Sequence, residues 1–115
     1  MAIQQIWADQ NFSKKNLRTV SGQALKIDFA GWHNSGSGPD FKEARLQIGE
    51  HSLFGVVEIH VDSSGWYAHQ HEKNPDYNSE VLHVVLYNIG KRLIESENKF
   101  KIQELELASI INKTL

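Results

Sequence analysis

Cysteine is absent from this chain of 115 residues. There is therefore no disulfide framework, no cysteine-based zinc site and no thiol nucleophile. The lack also suits a reducing compartment. No apolar run approaches the ~20 residues that a membrane-spanning helix needs. The opening Met1-Ala-Ile-Gln-Gln-Ile-Trp7 has neither the basic start nor the long apolar stretch of a signal peptide. A soluble, cytoplasmic protein is expected, with no membrane partner. An excess of charge of either sign is lacking too: the net charge of −2 says nothing about partners. The small basic groups Lys14, Lys15, Arg18 and Lys91, Arg92 read as solvated surface. What remains, 40% hydrophobic and 23% charged, is the composition of an ordinary globular chain. The length fits one domain spanning 1–115.

No internal repeat, low-complexity tract or linker interrupts it. Ile3, Ile6 and Trp7 fall at helical spacing, which predicts a short helix over 2–9. Leu17 to Val20 and Ala24 to Phe29 read as strands around a turn at Ser21-Gly22-Gln23. A glycine-rich loop, Gly31 to Asp40, follows. Phe41 to Ile48 and Ser52 to Val61 read as strands joined by a tight turn at Gly49-Glu50-His51. Beyond them come a short helix over about 65–72, a turn at Asn74-Pro75-Asp76, and Val81 to Tyr87, a near-continuous apolar strand of the buried kind. Phe100 to Leu107 reads as a last strand, followed by the first turns of a helix. An ending in mid-element suggests a truncated chain. Strands with few helices imply an α/β (α+β) fold, a mixed central sheet flanked by short helices.

The 41–61 hairpin carries the chemistry. If Ile48 pairs with Ser52, Asp40 lies opposite His60, and Lys42 lies opposite Glu58. A slip of two residues pairs Asp40 with Glu58 instead. In either register the even-numbered residues Asp40, Lys42, Ala44, Leu46, Ile48, Phe54, Val56, Glu58 and His60 share one face. Val57, Ile59 and Val61 make the other face apolar, so the Glu58 strand should be central and covered on both sides. Two carboxylates and an imidazole are expensive to bury there unless something compensates. A divalent cation would do so: oxygen ligands suit Mg²⁺ or Mn²⁺, and an imidazole is accepted by Mn²⁺ or Zn²⁺. The plainer alternative is a wet hairpin end, with Asp40 capping a turn and Glu58 paired to Lys42.

Gly38-Pro39-Asp40 entering one strand and Glu58-Ile59-His60 on the next resemble the signature of PD-(D/E)XK nucleases: Pro-Asp, a hairpin, then Asp/Glu-x-Lys. The element order resembles their αβββαβ core, the restriction-endonuclease-like fold. The chain is also similar to an uncharacterised bacterial family, a domain of unknown function. The shared residues are Gly31, Asn34, Gly38 to Phe41, Val57 to His60, Trp66, His69, His71, Tyr77 and Leu82 to Val85. The nuclease resemblance implies that Asp40 and Glu58 bind Mg²⁺ or Mn²⁺, with the Ile59 carbonyl as a further oxygen ligand. It also implies a hydrolase of phosphodiester bonds whose partner is nucleic acid. His60 departs from the pattern, standing where the nucleases have lysine. It, or Lys42, would assist catalysis. The departure keeps a second reading open: an inactive nuclease-like module that binds nucleic acid or a protein.

Six histidines is a high count. His33, His69 and His83 are candidates for supporting the metal ligands, although His83 on an apolar strand also reads as a hydrogen-bonded core residue. His51 sits in a turn and has no claim. Trp32, Trp66 and Tyr67 are of the kind that stack on bases, but Trp66 reads as core. His69-x-His71 with Glu80 superficially suggests a cupin-type metal site, but its spacing is too long and the glycine punctuation is missing.

Overall fold

Apolar and polar residues alternate along 44–48 and again along 57–62, and the turn Gly49-Glu50 folds the stretch 41–62 back on itself. In the computed structural model, which describes residues 3–36, 38–62, 80–87, 94–95 and 101–111, strand β3 (Phe41–Ile48) pairs antiparallel with β4 (His51–Asp62). The loop has two residues, with Gly49 at φ 59°, the positive angle that such a hairpin needs at its first position. The helix expected over 65–72 and the turn at 74–76 lie outside the described residues. Of the helix expected after Leu107, residues 108–110 form a turn and Ile111 bridges to Phe12, and 112–115 lie outside the described residues.

Around the hairpin, β1 (Leu25–Phe29) and β2 (Trp32–His33) pair antiparallel with β3. On the far side β5 (Glu80–Tyr87) runs parallel to β4, and β8 (Glu104–Glu106) runs parallel to β5. The result is a curled, mixed sheet of six strands in the order β1-β3-β4-β5-β8, with β2 also on β3. With one short helix, α1 (Ile3–Ala8), the fold is mixed α+β. A small ribbon, β6 (Ile94–Glu95) with β7 (Lys101–Ile102), stands apart. The expected last strand is thus two pieces broken at Gln103. The 17–20 stretch is tied to the start of β1 through the Arg18–Ala24 bridge and is otherwise irregular.

One face of the sheet carries the main core. Leu25, Phe41, Ala44, Leu46, Ile48, Val57, Ile59, Leu82, Val84 and Leu105 are buried there with Trp7, Phe12 and Leu17. Trp7 Nε1 donates to the Ala30 carbonyl at 3.0 Å, so burying its ring leaves no polar orphan. β4 is central, and Val56 to Ile59 are buried consecutively, as a strand covered on both faces requires. Coverage ends before Val61, which is 60% exposed rather than buried as expected.

A bulge corrects the expected parity. Ile48 pairs with His51 and Ala44 with Gly55, but Phe41 pairs with Val57. The irregularity falls between Phe41 and Ala44, where Glu43 has φ 62°. An extra residue there switches the faces. Ala44, Leu46 and Ile48 therefore join the core face instead of sharing a face with Glu58. Lys42 is not opposite Glu58: its partner across the ladder is Trp32, and it is exposed.

Candidate functional site: a buried acid–histidine cluster

The bulge that moves Ala44 to the core leaves Asp40 on the other side, with Glu58 and His60. Beyond it the register continues from Phe41–Val57, which sets Asp40 level with Glu58, the arrangement of the two-residue slip. The Asp40 carboxylate accepts the Ile59 backbone N–H at 2.9 Å, so it sits between Glu58 and His60 of the neighbouring strand. The glycine loop holds it there. Asn34 donates its backbone N–H to the Asp40 carbonyl at 2.8 Å and its side-chain amide to the Pro39 carbonyl at 2.9 Å. Asparagine suits such local bonding because its short amide reaches backbone groups a few residues away.

The parallel ladder brings further groups to this face. Glu58 is level with His83 on β5, and His83 is level with Glu104 on β8. Glu58, His83 and Glu104 are all buried. His83 Nδ1 lies 3.0 Å from Glu104 Oε2, and His83 Nε2 lies 2.8 Å from His60 Nδ1. On its other side His60 Nε2 is 4.0 Å from Glu58 Oε1. A chain of polar groups thus crosses three strands: Glu104, His83, His60, Glu58. Each step relies on a side chain every second residue pointing to the same face.

Glu80, at the start of β5, is buried close by, and neither of its carboxyl oxygens has a hydrogen-bond partner among the described residues. Burial pushes its carboxyl well above the usual carboxylate range, and the Glu58 carboxylate pushes it further. The Glu58 backbone N–H works in the opposite direction, while Asp40 and Glu104 add to the rise. The carboxyl groups of Glu58, Asp40 and Glu104 therefore all lie within electrostatic reach of Glu80. Among the described residues, no group of three or more His, Cys, Asp or Glu side chains is arranged to hold a metal ion.

Of the residues singled out from the sequence, Asp40, Glu58, Ile59, His60 and His83 come together. Lys42 does not. His33 is exposed, with its ring against Phe41 at 5.3 Å between centroids, on the core side of β3. His69, His71, Trp66 and Tyr67 lie outside the described residues. Glu104 carried no signal as a lone acid. Its position in Glu104-Leu-Glu-Leu107 did: when acids alternate with leucines and the leucines are core, the acids fall on the other face of the strand.

Fold and site together define a mixed α+β domain with a buried acid–histidine cluster on one face of its central parallel strands. The chain belongs to the family described as "Protein of unknown function (DUF2851)", whose model matches residues 1–115. No curated protein and no solved structure matches it. No helix among the described residues is long and apolar enough to cross a membrane.

Proposed function

We propose that this is a metal-dependent phosphodiesterase-like domain acting on nucleic acid, with Asp40 and Glu58 as ligands of Mg²⁺ or Mn²⁺. The observation that carries the reading is the seat of the Asp40 carboxylate on the Ile59 N–H, between Glu58 and His60. It joins the Pro39-Asp40 and Glu58-Ile59-His60 motifs in space, as the resemblance to PD-(D/E)XK nucleases requires. A small, hard cation needs only one or two protein carboxylates, with water and substrate phosphate completing its shell. The lack of a larger ligand cluster among the described residues is therefore compatible with it. The crowding of buried acids around Glu80, whose two oxygens have no hydrogen-bond partner among the described residues, also fits a site that takes positive charge.

In such a site Asp40 and Glu58 bind, and the Ile59 N–H fixes the Asp40 carboxylate. The Ile59 carbonyl, leaving the strand on the same side as its N–H, is the third oxygen. A bound cation would supply a water of lowered pKa as nucleophile. His60 stands where the nucleases have lysine and would orient that water or take its proton. Exposed Trp32, beside Lys42, offers a ring and an ammonium to a nucleic-acid strand.

The test is cleavage of labelled DNA and RNA in Mn²⁺ by wild type, Asp40→Ala and Glu58→Ala. Losing a ligand should reduce cutting by more than the roughly 10- to 100-fold typical of losing a residue that supports a ligand. Equal cutting by all three proteins would exclude the site.

One observation favours a second reading, an inactive nuclease-like module that binds nucleic acid or protein. His60 replaces the expected lysine, and its Nδ1 is already engaged with His83. Calorimetric titration with Mn²⁺ separates the two: heat of binding that Glu58→Gln abolishes supports the enzyme, and no heat with wild type supports the module.

A further inference from the structure

We infer that the outer face of β1, β2, β3 and β4 is a stacking platform for single-stranded nucleic acid, made of Phe29, Trp32 and Phe54 with Lys42 and Arg45 among them. Parity and register put these side chains on one surface. Ala44 and Leu46 face the core, so Arg45 between them faces outward. Its ladder partners are Phe29 on β1 and Phe54 on β4, which makes one row across three strands. A register shift after Ile27, itself packed on the core, turns Phe29 to this side. Phe41 also faces the core, so Lys42 points outward with its partner Trp32. The Trp32 and Phe29 rings meet edge to face, 5.1 Å between centroids, and link the two rows. Trp32 is 65% exposed and Phe54 63%. Scattered exposed rings carry no message, but rings gathered on one face mark a binding surface.

The cations decide what the occupant is. A ring takes any base on its flat side, and a guanidinium or ammonium beside it takes the neighbouring phosphate. Arg45 stands between Phe29 and Phe54, and Lys42 beside Trp32, so the charges alternate with the rings. Of the acids alongside, Asp28 is already held by Lys26 at 3.7 Å and by Gln47 at 3.1 Å. Glu43 in the bulge offsets one cation and leaves an excess of positive charge. The same face carries Asp40 and Glu58. Along β4 its outward positions run Phe54, Val56, Glu58, exposed at the first and buried from the second. The platform thus borders the acid–histidine cluster and supplies the attraction a polyanion needs beside buried carboxylates. A duplex keeps its bases stacked on one another, whereas a single strand can lay them on protein rings. That the bound strand leads to Asp40 and Glu58 rests on the phosphodiesterase reading; binding on the platform does not.

The test is fluorescence anisotropy of labelled single-stranded DNA, single-stranded RNA and duplex DNA of one sequence, with the whole chain in EDTA so that nothing is cut. Single strands are expected to bind more tightly than the duplex, and the tighter of the two single-stranded arms identifies the sugar. Trp32→Ala and Phe54→Ala should each weaken single-strand binding by about 5- to 150-fold, the loss of one stacked base. Trp32→Phe keeps a flat ring and should retain most of it. Arg45→Gln should lower the slope of log affinity against log salt by about 0.7. Lys15→Gln, in a cleft lined by Ser109 and Ile110 instead, should not. Every substituted side chain is exposed, and circular dichroism confirms that each variant is folded. Tighter binding of the duplex overturns the inference. So does wild type that binds no single strand, or single-strand binding that both alanine variants leave unchanged. Sedimentation tests the other occupant: a wild-type dimer that both variants dissociate would assign the rings to a second copy and overturn it too. Ring-dependent binding without cleavage in Mn²⁺ supports the platform and counts against the phosphodiesterase reading alone.

Discussion

A buried carboxyl group is stable when its surroundings let it be either paired or neutral, and the acids of this site differ on that point. Glu104 has an imidazole at 3.0 Å. Asp40 is half-buried and holds a backbone N–H. Glu80 has no imidazole beside it, and burial and the Glu58 carboxylate outweigh the Glu58 backbone N–H and push it toward the protonated state. This has a consequence for stability with a definite sign. In the unfolded chain a glutamate titrates near 4.3, but in the fold Glu80 keeps its proton to higher pH. Above about pH 4.3 folding therefore takes up a proton, and this contribution to stability is lost as pH rises toward the raised folded-state value. The slope can reach about 1.4 kcal/mol per pH unit. Glu80→Gln, which is neutral throughout, should lack this decline. Urea unfolding of both proteins in EDTA at pH 5, 6, 7 and 8 checks it. The variant should gain on wild type as pH rises, and a constant difference would show that Glu80 is not held protonated.

Among the elements, the bulge on β3 decides which side chains meet. With strict alternation, Phe41 would fall on the face opposite Leu46. With the extra residue at 42–43, both are core and Asp40 is left with Glu58. The bulge is held by a non-glycine residue in the left-handed region, Glu43 at φ 62°, a conformation that costs such residues roughly 1–2 kcal/mol. Gly31, in the connection between β1 and β2, lies against it. A Cβ on Gly31 would sit 2.9 Å from the Lys42 carbonyl oxygen, and its φ of 100° is one that side chains rarely adopt. Gly31→Ala should therefore destabilise the fold by roughly 1–3 kcal/mol. Glu43→Gly should be neutral or stabilising, because glycine reaches positive φ without the Cβ penalty. Chemical denaturation of the two variants is the measurement, and equal losses from both would argue against strain at the bulge. The asparagine bonds that secure Pro39 and Asp40 belong to the same element, so the site's geometry is built from one loop and one bulge laid over a regular hairpin.

At the scale of the whole molecule, the sheet separates two tasks. One face is filled with leucine, isoleucine, valine and aromatic side chains, and the other places carboxylates and imidazoles on the three parallel strands β4, β5 and β8. If the polar side binds a cation only when folded, the cation adds stability by mass action, about 2.7 kcal/mol at 100 times its dissociation constant. Mn²⁺ should therefore raise the thermal midpoint of wild type, and Asp40→Ala and Glu58→Ala should abolish the rise while remaining folded. An equal rise in all three would place the ion elsewhere. Truncating the shared core is a contrasting case: Leu82→Ala, at a fully buried position, should cost about 2–5 kcal/mol with or without Mn²⁺. Much of this architecture was legible along the chain, because the periodicity of short apolar runs depends on local geometry. The bounds of β3, the central place of β4, the buried character of β5 and the nearness of Asp40 to Glu58 and His60 all follow from it. Which residue lies opposite which does not, since one inserted residue changes every later face; the consecutive Lys42-Glu43 breaks the alternation, but two charged residues in a row do not by themselves specify a bulge. That is why Lys42 was expected beside Glu58, and Ala44, Leu46 and Ile48 on the wrong side. The histidine chain to Glu104 was further out of reach. Parallel strands are joined by long crossovers whose length does not specify register, so only the folded sheet decided that residues 60, 83 and 104 would stand in line.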